Sequence, residues 1–309
     1  MTAQMTTIAS FYTCKMPTFK LSEPPTALSY FSALVADDAS IPLTEAALAI
    51  AQIDGGPLDA QAVLAEIDSL GARLTRRIPA DASSLHKLRL LNRYFFNELG
   101  FGANHNNFYD PANSYLPQVL ATRRGIPISL AVLYIELATQ IGLPARGVSF
   151  PGHFLVKMRV QGGLQSGEVV IDPLNGHSLS REQLDEMLLP YKKSHGLIDD
   201  FDMPLGLFLQ EAPARDVIAR MLRNLKEIHR TEEDWPRLLA VMHRLVILLP
   251  DVVEERRDRG LTSAELGQFE AAAQDLSDYL DSRPDAPDRQ AIDQRLGELR
   301  AAGGRPRLH

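Results

Sequence analysis

Apolar positions along this chain follow three successive patterns. From about residue 26 to 100 they recur at three-and-four spacing, as in "EAALAIAQI" and "AQAVLAEIDSLGARLTRRI", which predicts amphipathic helices. "DASSLHKLRLLNRYFFNEL" adds a further helix, opened by Asp and Ser and stopped at Gly100. "GFGANHNNFYDPANSY" breaks the period with Asn and Gly and reads as a long ordered loop, followed by a short helix or turn in "YLPQVLATRRG". Residues 127 to 141 are apolar on nearly every side, which predicts a central, buried helix ended by Gly142 to Pro144.

The second pattern is short and β-branched. "ARGVSF", "HFLVKMRV" and "GEVVIDP" predict strands separated by turn signals, and "SREQLDEML" predicts a helix with a Ser cap. From about residue 213 the helical period returns, now with a repeat. "RLVILLP" ends at Pro250 and "LSDYLDSRP" at Pro284, 34 residues apart, the tetratricopeptide period. On that alignment Leu225 matches Arg259, Leu238 matches Ala272, and Met242 matches Leu276. A repeat cannot bury its apolar face alone, so two repeats should pack on the first domain or on a partner. Plain helical hairpins of other ancestry would give a similar pattern.

Composition narrows the class. The 309 residues are 45% hydrophobic, enough to bury a core. The formal net charge of −7, with both signs mixed, argues against nucleic acid as the main partner. No apolar run approaches the roughly 20 residues of a membrane span, and "MTAQMTTIASFYTCKMPTFK" lacks a secretory pattern. The single cysteine, Cys14, excludes an internal disulfide framework and a multi-cysteine zinc site, which makes the cytoplasm the expected compartment. No metal-ligand spacing, phosphate loop or dinucleotide glycine pattern is present, so no metal and no cofactor are expected.

"GIPISLAVLYIELATQIGLPARGVSF", "PGHFLV" and "IDPLNG", followed by the paired helical repeat, resemble the SirB-type family of bacterial transglutaminase-like/tetratricopeptide proteins. The resemblance covers about residues 30 to 300, with "NSYLPQVLATRRGIPISL" its most specific part. It implies an α+β transglutaminase-like core, related to papain-like thiol enzymes, with a helical N-terminal extension and then all-α tetratricopeptide-like repeats. The expected division is a flexible tail to residue 25, a first domain over 26–212, a helical domain over 213–302, and a tail over 303–309. Active members of the wider fold carry a cysteine opening the central helix, a histidine on the next strand and an aspartate on the one after. A typical helix start there is Gly-x-Cys-x-x-x-Ala, with the glycine of a Gly-Ile-Pro-Ala-Arg turn fifteen residues after the cysteine.

In this chain Gly142 begins "GLPAR", and fifteen residues back stands Pro127, with Gly125 and Ala131 in register. The resemblance therefore puts Pro127, His153 and Asp172 at the three triad positions. A thiolate is the attacking species in such enzymes, and proline has no nucleophilic atom. It does suit the first turn of a helix. Ser129 lies two residues on, about 200° around the helix, and is expected to bond nearby backbone. Cys14 reaches the site only by an improbable fold-back. His153 and Asp172 are either a retained triad pair or a buried polar pair that satisfy each other.

Two more groups are candidate ligand-binding residues. Arg123 and Arg124 precede a helix N-terminus, where cations require negative charge nearby; Asp110 is the expected partner, with Asp172 or a bound anion as alternatives. The loop supplies Asn104, Tyr109 and Asp110 as a recognition surface. The expected function is non-catalytic: a binding or regulatory protein with a protein partner on the repeat region. The alternative is a hydrolase or acyl-transferase using His153 and Asp172 with an unconventional nucleophile or an activated water.

Overall fold

The computed structural model describes residues 26–54, 58–162, 165–197 and 203–303; Cys14 and the tails at 1–25 and 304–309 lie outside them. The N-terminal helices begin where the sequence offers a side-chain cap. Thr26 accepts Ser29 N–H at the start of α1 (Ala27–Leu34), and α2 (Leu43–Ile50) is buried along most of its length. Asp59 accepts Ala62 N–H at the start of α3 (Ala60–Thr75), and Ser83 caps α4 (Ser84–Asn92). One π turn, Arg93–Glu98, extends α4, and Gly100 at φ 74° ends it.

The Asn-rich loop is held at both ends. β1 (Gly102–Ala103) pairs in parallel with β2 (Arg124–Gly125), and between them lie a 3-10 turn, Pro111–Ser114, and α5 (Leu116–Thr122). The chain then enters α6 (Pro127–Gln140), whose residues Ile128 to Ile135 are all buried. β3 (Ala145–Val148), β4 (Leu155–Gly162) and β5 (Gln165–Ile171) form an antiparallel meander in that order. Alternation assigns its two faces: Val156, Met158 and Val160 join the cluster around α6. Leu155, Val148 and Val170 pack with α7 (Arg181–Ser194) and α8 (Leu205–Phe208). Only the ends of β4 and β5 nearest α7 are covered on both faces; farther along β4, Lys157, Arg159 and Gln161 alternate with the buried Val156, Met158 and Val160.

The repeat region is α9 (Ala214–Thr231), α10 (Trp235–Leu248), α11 (Val253–Glu265), α12 (Phe269–Ser282) and α13 (Arg289–Gly303). Leu225, Leu238, Met242, Ala272 and Leu276 are all buried. Arg259, at the position of Leu225, breaks the apolar register and instead makes a bidentate pair with Asp275 at 2.8 and 2.7 Å. At Gly260 a β-carbon would come within 3.0 Å of Asp275 Cβ and Leu276 Cδ2, so the small residue permits the close approach of α11 and α12. The largest apolar cluster runs from Phe31 to Leu248 and takes in both α9 and α10, whereas Ala264 to Leu299 form a separate one. The first repeat hairpin therefore completes the core of the transglutaminase-like part. Glu255 stitches α9 to α11, accepting Arg223 at 3.0 Å and Lys226 at 2.8 Å.

Candidate functional site

Antiparallel pairing of Val156 with Ile171 sets the start of β4 beside the end of β5. His153 lies just ahead of β4 and Asp172 just after β5, so register alone brings them to one end of the sheet. A tight turn fixes the first: His153 N–H donates to Phe150 O at 3.1 Å, and Gly152 takes φ 70°. The second is fixed by its own turn, in which Leu174 N–H donates to Asp172 Oδ1 at 2.9 Å and Gly176 N–H to Asp172 O at 2.8 Å. The side chains meet at 3.1 Å, His153 Nε2 to Asp172 Oδ1, and are only 16% and 17% exposed, so water screens the contact weakly. Burial pushes the Asp172 carboxyl up, but the hydrogen bonds from His153 and Leu174 N–H outweigh it and leave the group below the usual carboxylate range. His153 Nδ1 has no partner among the described residues.

The N-terminus of α6 opens into the same place. Pro127, Ile128, His153 and Phe154 line one cavity of about 300 Å³, at the lower end of the range for small-molecule sites. Pro127 is the first residue of α6 and contributes a ring, with no nucleophilic atom, to the lining of the cavity that also carries the imidazole. Ser129 is fully buried and turned elsewhere: its hydroxyl donates to Asn113 O at 2.6 Å and accepts Ile126 N–H at 3.1 Å. Gly125 leaves room for that bond, since a β-carbon there would lie 2.7 Å from Ser129 Oγ.

The loop residues divide. Tyr109 lines the cavity with Phe108; the two rings meet edge-on at 5.6 Å and stay exposed at the mouth. Asn104 is spent on the loop itself, donating to Asn113 Oδ1 at 3.0 Å and accepting Asn107 N–H at 3.3 Å. The expected pair between Asp110 and an arginine is not formed. Asp110 caps the 3-10 turn through Ala112 N–H at 2.9 Å and accepts Asn107 Nδ2 at 3.1 Å. Arg123 is the left-handed C-cap of α5, stacks 4.8 Å from the Phe101 ring and lies 3.5 Å from Glu66. Arg124 donates to Gly100 O at 2.5 Å and Arg123 O at 2.9 Å. Sequence proximity to α6 misled the expectation, because Arg123 is engaged by Glu66 and the Phe101 ring and Arg124 by backbone carbonyl groups.

The cavity also has a wall that no local pattern indicated. Arg220, Asn224, Glu227 and Ile228 of α9 line the same cavity as Pro127 and His153. Arg220 Nη1 donates to Ser149 Oγ at 2.7 Å and to Phe150 O at 3.0 Å, beside the turn that holds His153. Among the described residues no cluster of His, Cys, Asp and Glu is positioned to hold a metal ion, and no helix is long and apolar enough to cross a membrane.

Comparison with known proteins agrees with this architecture. A transglutaminase-like superfamily model matches residues 61–223, and a tetratricopeptide repeat model matches residues 225–297. A UPF0162 protein of Xylella fastidiosa is 39% identical over 249 residues, covering 80% of this chain and 86% of the relative. A UPF0162 protein of Vibrio cholerae is 28% identical over 211 residues, 67% of this chain and 73% of the relative. The UPF0162 protein YchA of Escherichia coli K12 is 28% identical over 214 residues, 69% and 76% respectively. No solved structure matches. The two matched family models and the Xylella fastidiosa relative together show that the chain belongs to the UPF0162 family of transglutaminase-like proteins with tetratricopeptide repeats.

Proposed function

We propose that this protein is a non-catalytic binding protein, built on a thiol-enzyme scaffold whose reactive position has become part of a ligand pocket. The observation that carries the reading is that Pro127 and His153 line the same cavity. A thiol enzyme needs its sulfur at the helix start, beside the imidazole. Here the ring of Pro127 stands at that end, and the neighbouring hydroxyl of Ser129 is committed to backbone groups in the interior. An exposed aromatic pair at the mouth and an amphipathic helix along one side suit recognition. In the same reading, α11 to α13 recruit a protein partner, as tetratricopeptide repeats generally do.

A second reading keeps chemistry in the pocket. The ionised Asp172 holds His153 through Nε2, leaving Nδ1 without a partner, which is the arrangement of an imidazole able to take a proton from water. The two readings separate in one experiment. The full chain is incubated with activated esters and with blocked peptidyl-coumarin amides, alongside His153→Ala. No turnover above buffer by either protein is the expected result. Turnover that disappears in His153→Ala would overturn the binding reading in favour of hydrolysis.

A further inference from the structure

The α9 wall of the cavity has a chemical order. Positions 220, 224 and 227 fall on one helix face, and they present a guanidinium, a carboxamide and a carboxylate in that sequence. α9 carries other arginines besides Arg220: Arg215 is paired with Asp38, Arg223 with Glu255 and Arg230 with Glu227. Arg220 has no carboxylate within ion-pair distance among the described residues. Its Nη1 is spent on two neutral oxygens, of Ser149 and Phe150, and the group faces the Phe154 ring at 5.7 Å. Nε and Nη2 have no partner among the described residues. Burial lowers the guanidinium below its usual range, as expected for a charge drawn from water without a counter-ion. A cation held in place by neutral groups at the edge of a cavity is set to receive an anion.

The rest of the lining restricts which anion. Asn224 has no hydrogen-bond partner among the described residues, so its amide offers one donor side and one acceptor side, the complement of a peptide group. Pro127, Ile128 and Leu174 give apolar surface, and Phe108 and Tyr109 stand at the mouth. Glu227, at the far end of the face, is already paired with Arg230, which leaves Arg220 as the charge on this face without a counter-ion among the described residues, and the place for a ligand's anionic end.

We propose that the pocket binds the C-terminus of a peptide whose last side chain is apolar, with the free carboxylate on Arg220, the preceding peptide group on Asn224 and the side chain against Pro127 and Ile128. This rests on the non-catalytic reading, since the chain end is held and not cut. The site draws its lining from α6, the turn before β4 and α9, the helix in which the transglutaminase-like match ends and the tetratricopeptide match begins.

The test compares N-acetyl-Gly-Leu with its C-terminal amide, and with hexanoate, by calorimetric titration of the full chain. The acid is expected to bind about tenfold or more tighter than the amide, the advantage of a charge-assisted hydrogen bond to a fixed guanidinium. Hexanoate, which lacks a peptide group, is expected to bind more weakly than the acid. Arg220→Gln should remove the preference for acid over amide, and Asn224→Ala should weaken acid and amide alike. Equal affinity of acid and amide for the wild-type chain overturns the proposal without recourse to any variant, as does an acid preference that survives in Arg220→Gln. Hexanoate binding as tightly as the acid overturns the peptide assignment. Mass spectrometry of the amide probe separates the two readings: its conversion to acid refutes the non-catalytic function, whereas equal affinity without conversion refutes only the chain-end site.

Discussion

Replacing Pro127 by cysteine puts a sulfur at the position that the expected register assigns to the nucleophile of active transglutaminase-like enzymes. The structural conditions for activating it are present. α6 is 14 residues long and begins at this position, so the helix N-terminus favours a thiolate. His153 lines the same cavity, and with Nε2 taken by Asp172 its Nδ1 has no partner among the described residues. An ordinary cysteine titrates near about 8.5, and such surroundings bring it to about 6.5 or lower. At pH 7 that raises the thiolate fraction roughly 25-fold, but intrinsic nucleophilicity falls by about 8-fold for a two-unit change, leaving a net gain of only about threefold. At pH 5.5 the same arithmetic gives about tenfold, so the acid limb of the rate profile is where the effect is legible. The assay is iodoacetamide labelling of Pro127→Cys between pH 4 and 9. Peptide mass spectrometry follows the introduced thiol and Cys14 separately, and Cys14 serves as the internal reference. The introduced thiol is expected to reach half its limiting rate about two pH units below an ordinary thiol. Adding His153→Gln should move that midpoint back up by roughly a unit or more. A midpoint equal to that of a free-thiol peptide, or one indifferent to His153→Gln, would refute the register that places residue 127 beside the imidazole.

Other consequences are equally specific. Arg244 is 2% exposed with its Nε unpartnered, and burial brings its guanidinium down to about 10; Arg244→Met should therefore stabilise the protein by about 1–4 kcal/mol in urea denaturation, and a loss of stability would show that its bond to Ala240 O and its approach to the Phe31 ring dominate. Asp172 lies below the usual carboxylate range when folded, so its contribution is fully present above the unfolded value of about 4 and is lost as pH falls through the folded one. The stability gap between wild type and Asp172→Asn should close as pH falls below about 4, and a gap that widens on acidification there would reverse the sign of the argument. Residues 213–309 expressed alone should lack a cooperative transition at the melting temperature of the whole chain, because α9 and α10 bury their apolar faces in the main core; coincident circular-dichroism melts would show that the repeats fold independently.

Local rules carried the elements. Ser83, Asp59 and Ser180 start helices because a side-chain oxygen satisfies a first-turn N–H, and Gly100 and Gly142 stop them because they accept positive φ. The 34-residue recurrence of Pro250 and Pro284 marked the repeat for the same reason: each repeat is one local unit. The proximity of His153 and Asp172 was also close to local, since two consecutive antiparallel strands bring together the start of one and the end of the next. What the sequence could not decide was which charges meet across longer distances. Asp110 and Arg123 are near in the chain, yet a left-handed cap and a two-residue strand send Arg123 to Glu66 and Phe101. Arg220 is remote from His153 in sequence and reaches its pocket only because two repeats leave apolar faces that the core of the first part covers, drawing α9 across the opening of the site. Element identity depends on contacts a few residues apart, while the composition of a pocket depends on how completed elements bury their remaining apolar surface, and that is settled only when all of them pack together.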